Sequence, residues 1–272
     1  RYFSNSLSAK AFAISAVTFP ASFNISYLEN CRKASTRFAQ SCYTRPISIQ
    51  KGFSKDMKFE IGENLPEYFQ PDWPEQYDIF SHFEFACGIP QAIFAVTTLK
   101  QNGQPNVCLQ SWSSFFGGSE GYFVVLGGLM KHTHTYSNIL REKQFCVNFL
   151  PLSYYDDLKR SIEKNHTDAD EIAVCGLTAE PGKRISAPRI AESFLTMECT
   201  LHQEVDLSGS GVFSLLVGRV LQAAVAEEYA HGMDAKYDDH GFFFNIHSPV
   251  NIETGVCDPV GFATLQMNRT ES

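Results

Sequence analysis

Between Asn106 and Pro151 the chain gathers side chains suited to holding a ligand. Ser111, Ser113 and Ser114 flank Trp112 at the end of an apolar run that begins at Asn106. Hydroxyls and accessible backbone N–H groups at a strand end can meet the polar edge of a heteroaromatic ring. Trp112 can pack against such a ring or fill the core, the commoner fate of a lone Trp. Further on, Lys131, Thr133, His134 and Thr135 precede a segment with helical spacing. A cation and hydroxyls beside a helix start, whose first N–H groups lack intrahelical partners, make a phosphate site without a Gly-rich loop. In the plainer reading the threonines cap the helix and Lys131 is solvated, and the residue types leave both open. The chemistry suggested is retention of a phosphorylated aromatic ligand, with no catalytic acid, base or nucleophile among these residues.

The elements that must position these groups are mostly strands. Ala92–Leu99 is β-branched and aromatic, and Asn102-Gly103 signals a hairpin with a type I′ turn back into Asn106–Trp112. Gly117, Gly118 and Gly121 mark a loop, and Tyr122–Gly127 reads as a third strand. Tyr136, Ile139 and Leu140 recur at helical spacing from Thr135 to Lys143, with Thr133 or Thr135 as cap. Phe145–Leu150 is a fourth strand. Residues 153–174 read as helical, exposed and interrupted near Asn165-His166, with Asp168, Asp170 and Glu171 as solvated surface. Phe194–Val205 and Val212–Ala226 read as an extended hairpin, Gly241–Ile246 as a last strong strand, and the tail after Pro249 as weakly structured. Residues 58–78 form an irregular, Pro-punctuated lead-in, and 80–87 is a helix or a strand. With strands dominant and no βαβ alternation, the predicted fold class is mainly β, an antiparallel barrel with peripheral helices.

Other motifs carry less. Gly209-Ser210-Gly211 lies in a hairpin turn, outside the strand-to-helix context of a dinucleotide fingerprint, and there is no Gly-Lys-Ser/Thr loop. His132 and His134 lack the further ligands a metal would need, so no metal is expected. No Gly-x-Ser-x-Gly sequence occurs. The chain has 272 residues, a net charge of −8 and eight cysteines in no zinc-like spacing. This balance argues against a nucleic-acid surface, and no apolar run is long enough to span a bilayer. Reduced, buried thiols in a cytoplasmic protein are the expectation for the cysteines. Residues 1–56 differ from the rest, with eight basic and two acidic residues and many serines. A transit peptide, a signal peptide and an upstream translated segment ahead of Met57 all fit. We expect 1–56 to be poorly ordered and 57–272 to form the folded domain.

Asn106-x-x-x-x-Ser111-Trp112, the strand Tyr122–Leu126, Thr135-Tyr136-x-x-Ile139 and Phe145-x-Val147-Asn148-x-x-Pro151 resemble the flavin reductase-like, FMN-binding split-barrel family, its flavoredoxin branch above all. Glu198-Cys199 and Val217-Gly218-Arg219-Val220 resemble the family's second half. The likeness spans roughly residues 80 to 247 and is specific within 106–151. It implies a six-stranded split barrel with FMN held non-covalently at the interface of a homodimer. Ser111, Trp112, Ser113 and Ser114 would then line the isoalloxazine ring. Lys131, Thr133, Thr135 and His134 would serve the phosphate and ribityl chain, with Asn106 and Asn148 in support. Two features depart from the family: the loop Phe116–Glu120 replaces its Pro-rich turn, and His132 and His134 stand where an Arg is common.

The resemblance further implies an enzyme that moves electrons from NAD(P)H through FMN to free flavin, ferric iron, an oxygenase or another redox partner protein. The alternatives are an FMN-binding electron carrier without NAD(P)H activity, and a flavin-free binding module.

Overall fold

The computed structural model describes residues 58–267 except 208, 210 and 233–236, so the expectations for residues 1–56 and for Met57 lie outside the described residues. Two short helices open the fold, α1 (Gln76–Ile79) and α2 (His82–Cys87). Strands β1 (Gln91–Ala92), β2 (Phe94–Leu99), β3 (Pro105–Gln110), β4 (Ser113–Gly118) and β5 (Gly121–Met130) follow, then helix α3 (His134–Glu142) and strand β6 (Gln144–Phe149). Helices α4 (Tyr155–Glu163) and α5 (Glu171–Val174) and the short strands β7 (Ala179–Glu180) and β8 (Arg189–Ile190) lead to the long hairpin β9 (Leu195–Val205) and β10 (Phe213–Val225). Strands β11 (Asp238–Asn245) and β12 (Phe262–Leu265) close the order.

The main sheet runs β3-β2-β6-β9-β10-β5-β4, antiparallel throughout. Its two edges, β3 and β4, are joined through Ser111 and Trp112 alone. A chain that passes from one edge to the other in two residues forces the sheet to roll up. Gly127 N–H donates to Trp112 O at 2.8 Å, and Gln110 Nε2 donates to Gly127 O at 2.7 Å, which stitches the corner. A second sheet, β1-β11-β12, is not hydrogen-bonded into the seven strands but packs Phe242 against Phe149 and Phe194 of their core. The interior fills by strict alternation: Phe145, Val147 and Phe149 of β6 point inward with Phe94, Leu126 and Leu216, while Cys146 and Asn148 point out.

The main sheet thus has seven strands, not six. The additional one is β4, which the glycine-rich sequence disguised as a loop. Gly117 is needed for a close approach: a Cβ there would lie 2.7 Å from Gly121 O and from the Tyr122 ring. The tail is also more structured than expected, because Phe262–Leu265 adds a strand to β11. The β2–β3 hairpin forms as expected but its turn is not type I′. Gly103 alone is at positive φ (81°), and Asn102 uses its side chain instead, accepting from Gln104 N and donating to Thr167 O.

Two buried ionic clusters lock loops onto the outer surface. Lys100 Nζ donates to His166 O and Ala169 O and pairs with Glu171 at 2.7 Å, while Glu171 accepts the Val107 N–H. Glu171 is 1% exposed, which corrects its reading as solvated surface. On the outer face of β6 and β9, Glu198 accepts the N–H groups of Lys183 and Arg184 and both a 2.7 Å bond and a second, shorter one from Arg189. Burial pushes the Glu198 carboxyl up, but the Lys183 and Arg184 N–H groups and the Arg189 guanidinium outweigh it and hold it below the usual carboxylate range. Among the described residues no helix is long and apolar enough to cross a membrane.

Candidate functional site

The corner where β3 passes into β4 opens onto a cleft of about 340 Å³. Ile79, Phe80 and Ser81 form one wall, Trp112 with Gly127 and Gly128 the floor, and Phe213, Ser214, Leu215 and Leu207 the other wall. The size is at the small end for a ligand pocket, and the lining is largely apolar with a few polar groups, the usual composition of one. The floor exists because β5 carries a bulge there. Leu126 and Leu129 pair with Leu216 and Ser214, so β5 has one residue more than β10 over this stretch. Gly128 takes the extra turn at φ 62°, a region disfavoured for residues with a Cβ. A Cβ on Gly127 would meet Trp112 at 3.4 Å, at van der Waals contact, so the Trp112 corner sits close on β5.

The sequence-predicted residues divide into three groups. Ser111, Trp112, Ser113 and Ser114 all stand at the corner. Ser113 Oγ donates to Ser111 O at 3.2 Å, Ser114 is exposed, and Ser111 Oγ lies 3.4 Å from His247 Nε2. Trp112 stacks on Phe80 with ring centres 5.2 Å apart and donates its indole N–H to Glu84 at 3.0 Å.

Lys131, Thr133 and His134 form the second group, at the turn from β5 into α3. Thr133 is the helix cap: its Oγ1 accepts the Tyr136 N–H and donates to Met130 O. The capping reading of Thr133 is therefore the one the geometry displays. Lys131 pairs with Asp206 at 2.9 Å, both partly exposed. Glu204 stands close by, accepting from Tyr136 Oη and Ser214 Oγ. The Tyr136 hydrogen bond, helped by Ser214 and Lys131, holds the Glu204 carboxyl low, and the same bond pushes the Tyr136 hydroxyl up to about 12. His134 Nδ1 is buried and has no hydrogen-bond partner among the described residues.

The third group is buried away from the cleft. Asn106 Nδ2 donates to Thr135 Oγ1 at 2.8 Å, and both residues are nearly fully enclosed. The bond ties β3 to the first turn of α3. Asn148 is fully buried on the outer face of β6. Its Nδ2 reaches Ala95 O, Thr97 Oγ1 and Cys146 O, and its Oδ1 accepts the Ile190 N–H. Strand alternation turns Asn148 away from the barrel interior, so it supports the 181–190 loop and not the cleft.

A family model described as "Flavin reductase like domain" matches residues 86–244, more than half of the chain. The chain belongs to the flavin reductase-like domain family. An uncharacterized protein of Aquifex aeolicus is 26% identical over 120 residues, and the match covers 43% of this chain and 61% of that protein. The fold of the flavin reductase-like chain recurs in flavoredoxin from Methanosarcina acetivorans, at TM-score 0.54 and 16% identity over 79% of this chain and 95% of that one. It also recurs in a Shewanella frigidimarina protein described as a flavin reductase with a split barrel domain, at TM-score 0.53 and 16% identity over 75% and 98%. The barrel described above, open along its β3–β4 seam, is thus the split barrel of flavin reductase-like proteins.

Several residues of this site escaped the sequence reading. Glu84 reaches the corner from a segment read as a helix or a strand, and His247 from just past the strand Gly241–Ile246, where it was given no role. Gly127 looked like the end of a strand, and Gly128 and Asp206 carried no signal of their own. One signal was present: a half-buried indole needs an acceptor, and Glu84 is the acid set among the aromatics of His82–Cys87.

Proposed function

We propose that this protein is an FMN-dependent oxidoreductase that passes electrons from NAD(P)H through bound FMN to an acceptor. The observation that carries the reading is the cleft at the Ser111–Trp112 corner, in a barrel of the flavin reductase-like family. The residues present fit a flavin. Trp112 and the Cβ-free floor at Gly127 and Gly128 suit a flat ring, and Ser111, Ser113 and Ser114 offer hydroxyls to its polar edge. The start of α3, with the first N–H groups of a nine-residue helix and a His134 Nδ1 that has no hydrogen-bond partner among the described residues, suits the phosphate side. Thr133 and Thr135 hold that helix start in place, the first by capping it and the second through Asn106. Lys131 joins the phosphate side only on leaving Asp206. FMN supplies the two-electron chemistry when bound, and the protein's part is to orient it and keep water from it.

A homodimer is part of this reading. Phe116 and Phe123 stack on the outer face of β4 and β5, beside Val125 and Val217, with Arg219 paired to Phe123 and His202 5.3 Å from its ring, and Phe116 is 54% exposed. Such a face, aromatic with a few polar groups, suits a second copy of the chain. The six cysteines among the described residues are unpaired, which suits the reducing cytoplasm. The small volume of the cleft favours one alternative, an FMN-binding electron carrier that NAD(P)H does not reduce directly.

The test is a titration of the purified protein with FMN, followed by anaerobic mixing of the loaded protein with NADH and NADPH. The oxidoreductase reading expects tight uptake and bleaching of the flavin band by one or both nicotinamides. Uptake without bleaching supports the carrier, and no uptake at micromolar FMN rejects both.

A further inference from the structure

Ser111, His247 and Glu84 come from three distant parts of the chain and stand in line. Glu84 Oε1 lies 3.0 Å from His247 Nδ1, and His247 Nε2 lies 3.4 Å from Ser111 Oγ. The same carboxylate oxygen accepts the Trp112 indole N–H. Burial pushes the Glu84 carboxyl up, but the hydrogen bonds from His247 and Trp112 outweigh it and keep it below the usual range. An ionised carboxylate only accepts, so the proton of the imidazole sits on Nδ1. The lone pair of Nε2 then faces the Ser111 hydroxyl, and the tautomer is fixed by the partner behind it. The imidazole is enclosed by Glu84 of α2, by Trp112, edge-on at 4.9 Å, and by Ser111; Asp72 of the lead-in lies one step further out, 3.5 Å from Ser248 Oγ.

Resting on the flavin reading above, we propose that Glu84, His247 and Ser111 form a proton relay that ends at the Ser111 hydroxyl, next to Trp112 of the cleft floor. It serves the polar edge of a heteroaromatic ligand seated against the corner. Ser111 Oγ takes a proton from a ring N–H of the ligand as its own proton passes to His247 Nε2. The imidazolium so formed is balanced by the Glu84 carboxylate, and no other reactant is consumed. The reverse sequence delivers a proton. His247 is a positioning residue in this scheme, acting through Ser111. The 3.4 Å separation is long for a hydrogen bond, as such contacts often are before a ligand tightens them. The alignment has the roles of a hydrolytic triad, but Ser111 lies at a strand corner and is 9% exposed. It lacks the strand–turn–helix setting that presents a nucleophilic serine, so its hydroxyl is a conduit.

The chain has two tryptophans, so Trp73→Phe leaves Trp112 as the only one. Protonated imidazole quenches an adjacent indole, so in the ligand-free protein a pH titration should show a step in Trp112 emission, lower on the acid side. His247→Gln should abolish that step and Glu84→Gln should displace it. In the FMN-loaded protein the midpoint potential should show a break in its pH dependence that His247→Gln removes. That variant should bind reduced FMN about tenfold more weakly relative to oxidised FMN, the scale of one charge-assisted hydrogen bond. An emission step that survives His247→Gln, or a pH dependence of the potential shared by wild type and His247→Gln, overturns the relay. Failure of the wild type to bind FMN would remove the flavin reading, and the emission titration of the ligand-free protein would still decide the relay.

Discussion

The outer face of β6 and β9 and the corner between β3 and β4 are both rich in polar side chains, yet they are finished to different degrees. On the outer face Glu198 has four donors, and Asn148 uses its amide nitrogen and its oxygen on four separate backbone and side-chain groups. At the corner and the nearby α3 start, Lys131 shares a partly exposed pair with Asp206, His134 Nδ1 has no partner among the described residues, and Ser111 reaches His247 only at 3.4 Å. A saturated polar cluster has nothing left to offer a ligand, and its role is to hold the fold. An unsaturated one beside an apolar cleft retains capacity for binding. Asn148 and the serines share one sequence motif, but strand alternation sends Asn148 to the saturated face.

The sharpest way to break this contrast is Arg189→Ala. It leaves the buried Glu198 without its main counter-charge and should cost about 3–5 kcal/mol in chemical denaturation, with FMN affinity of the folded protein unchanged. Acid should act on the same cluster. The folded pKa of Glu198 is depressed, so its contribution is complete above the unfolded value of roughly 4.3 and is lost as pH falls through the lower folded value. Hydrogen exchange of residues 181–190 should accordingly stay slow near neutrality and accelerate only below that range. Asn148→Ala should cost less, about 1–3 kcal/mol for the groups left unpaired, again without effect on FMN.

Substitutions at the corner should show the opposite pattern. Gly128→Ala places a Cβ at φ 62° and should destabilise by about 1–2 kcal/mol. Its new methyl would stand 3.8 Å from the Trp112 ring, so FMN affinity should fall as well. The smallest stability effect belongs to Asp206→Asn, under about 1 kcal/mol for a partly exposed pair. There the informative change is in affinity: with Lys131 released towards the phosphate, isothermal titration should show FMN binding tightened several-fold, and salt should weaken it more than in wild type.

Strand periodicity and the Thr133 cap made much of the barrel and the α3 start legible in the sequence, because both depend on neighbours along the chain. What stayed hidden depends on neighbours across it. Gly117 looked like a loop residue because the crowding that requires it comes from Gly121 and Tyr122 on the next strand. Glu171 looked solvated because its partner, Lys100, lies 71 positions away in a hairpin turn. The corner serines could be named from their motif, but His247 lies 136 positions from Ser111 and joins it only once the tail packs back. Lys131 was recognisable as a cation and Asp206 was not recognisable as its partner, so the phosphate side read as more open than it is.

The most direct measurement is the emission of Trp112 in the Trp73→Phe protein during titration with FMN. Trp112 lines the cleft, so an isoalloxazine ring seated there should quench it saturably, in parallel with FMN bound and at one FMN per chain. Trp112 emission that stays constant while FMN binds, or FMN that does not bind at all, would contradict the assignment of this corner as the flavin site.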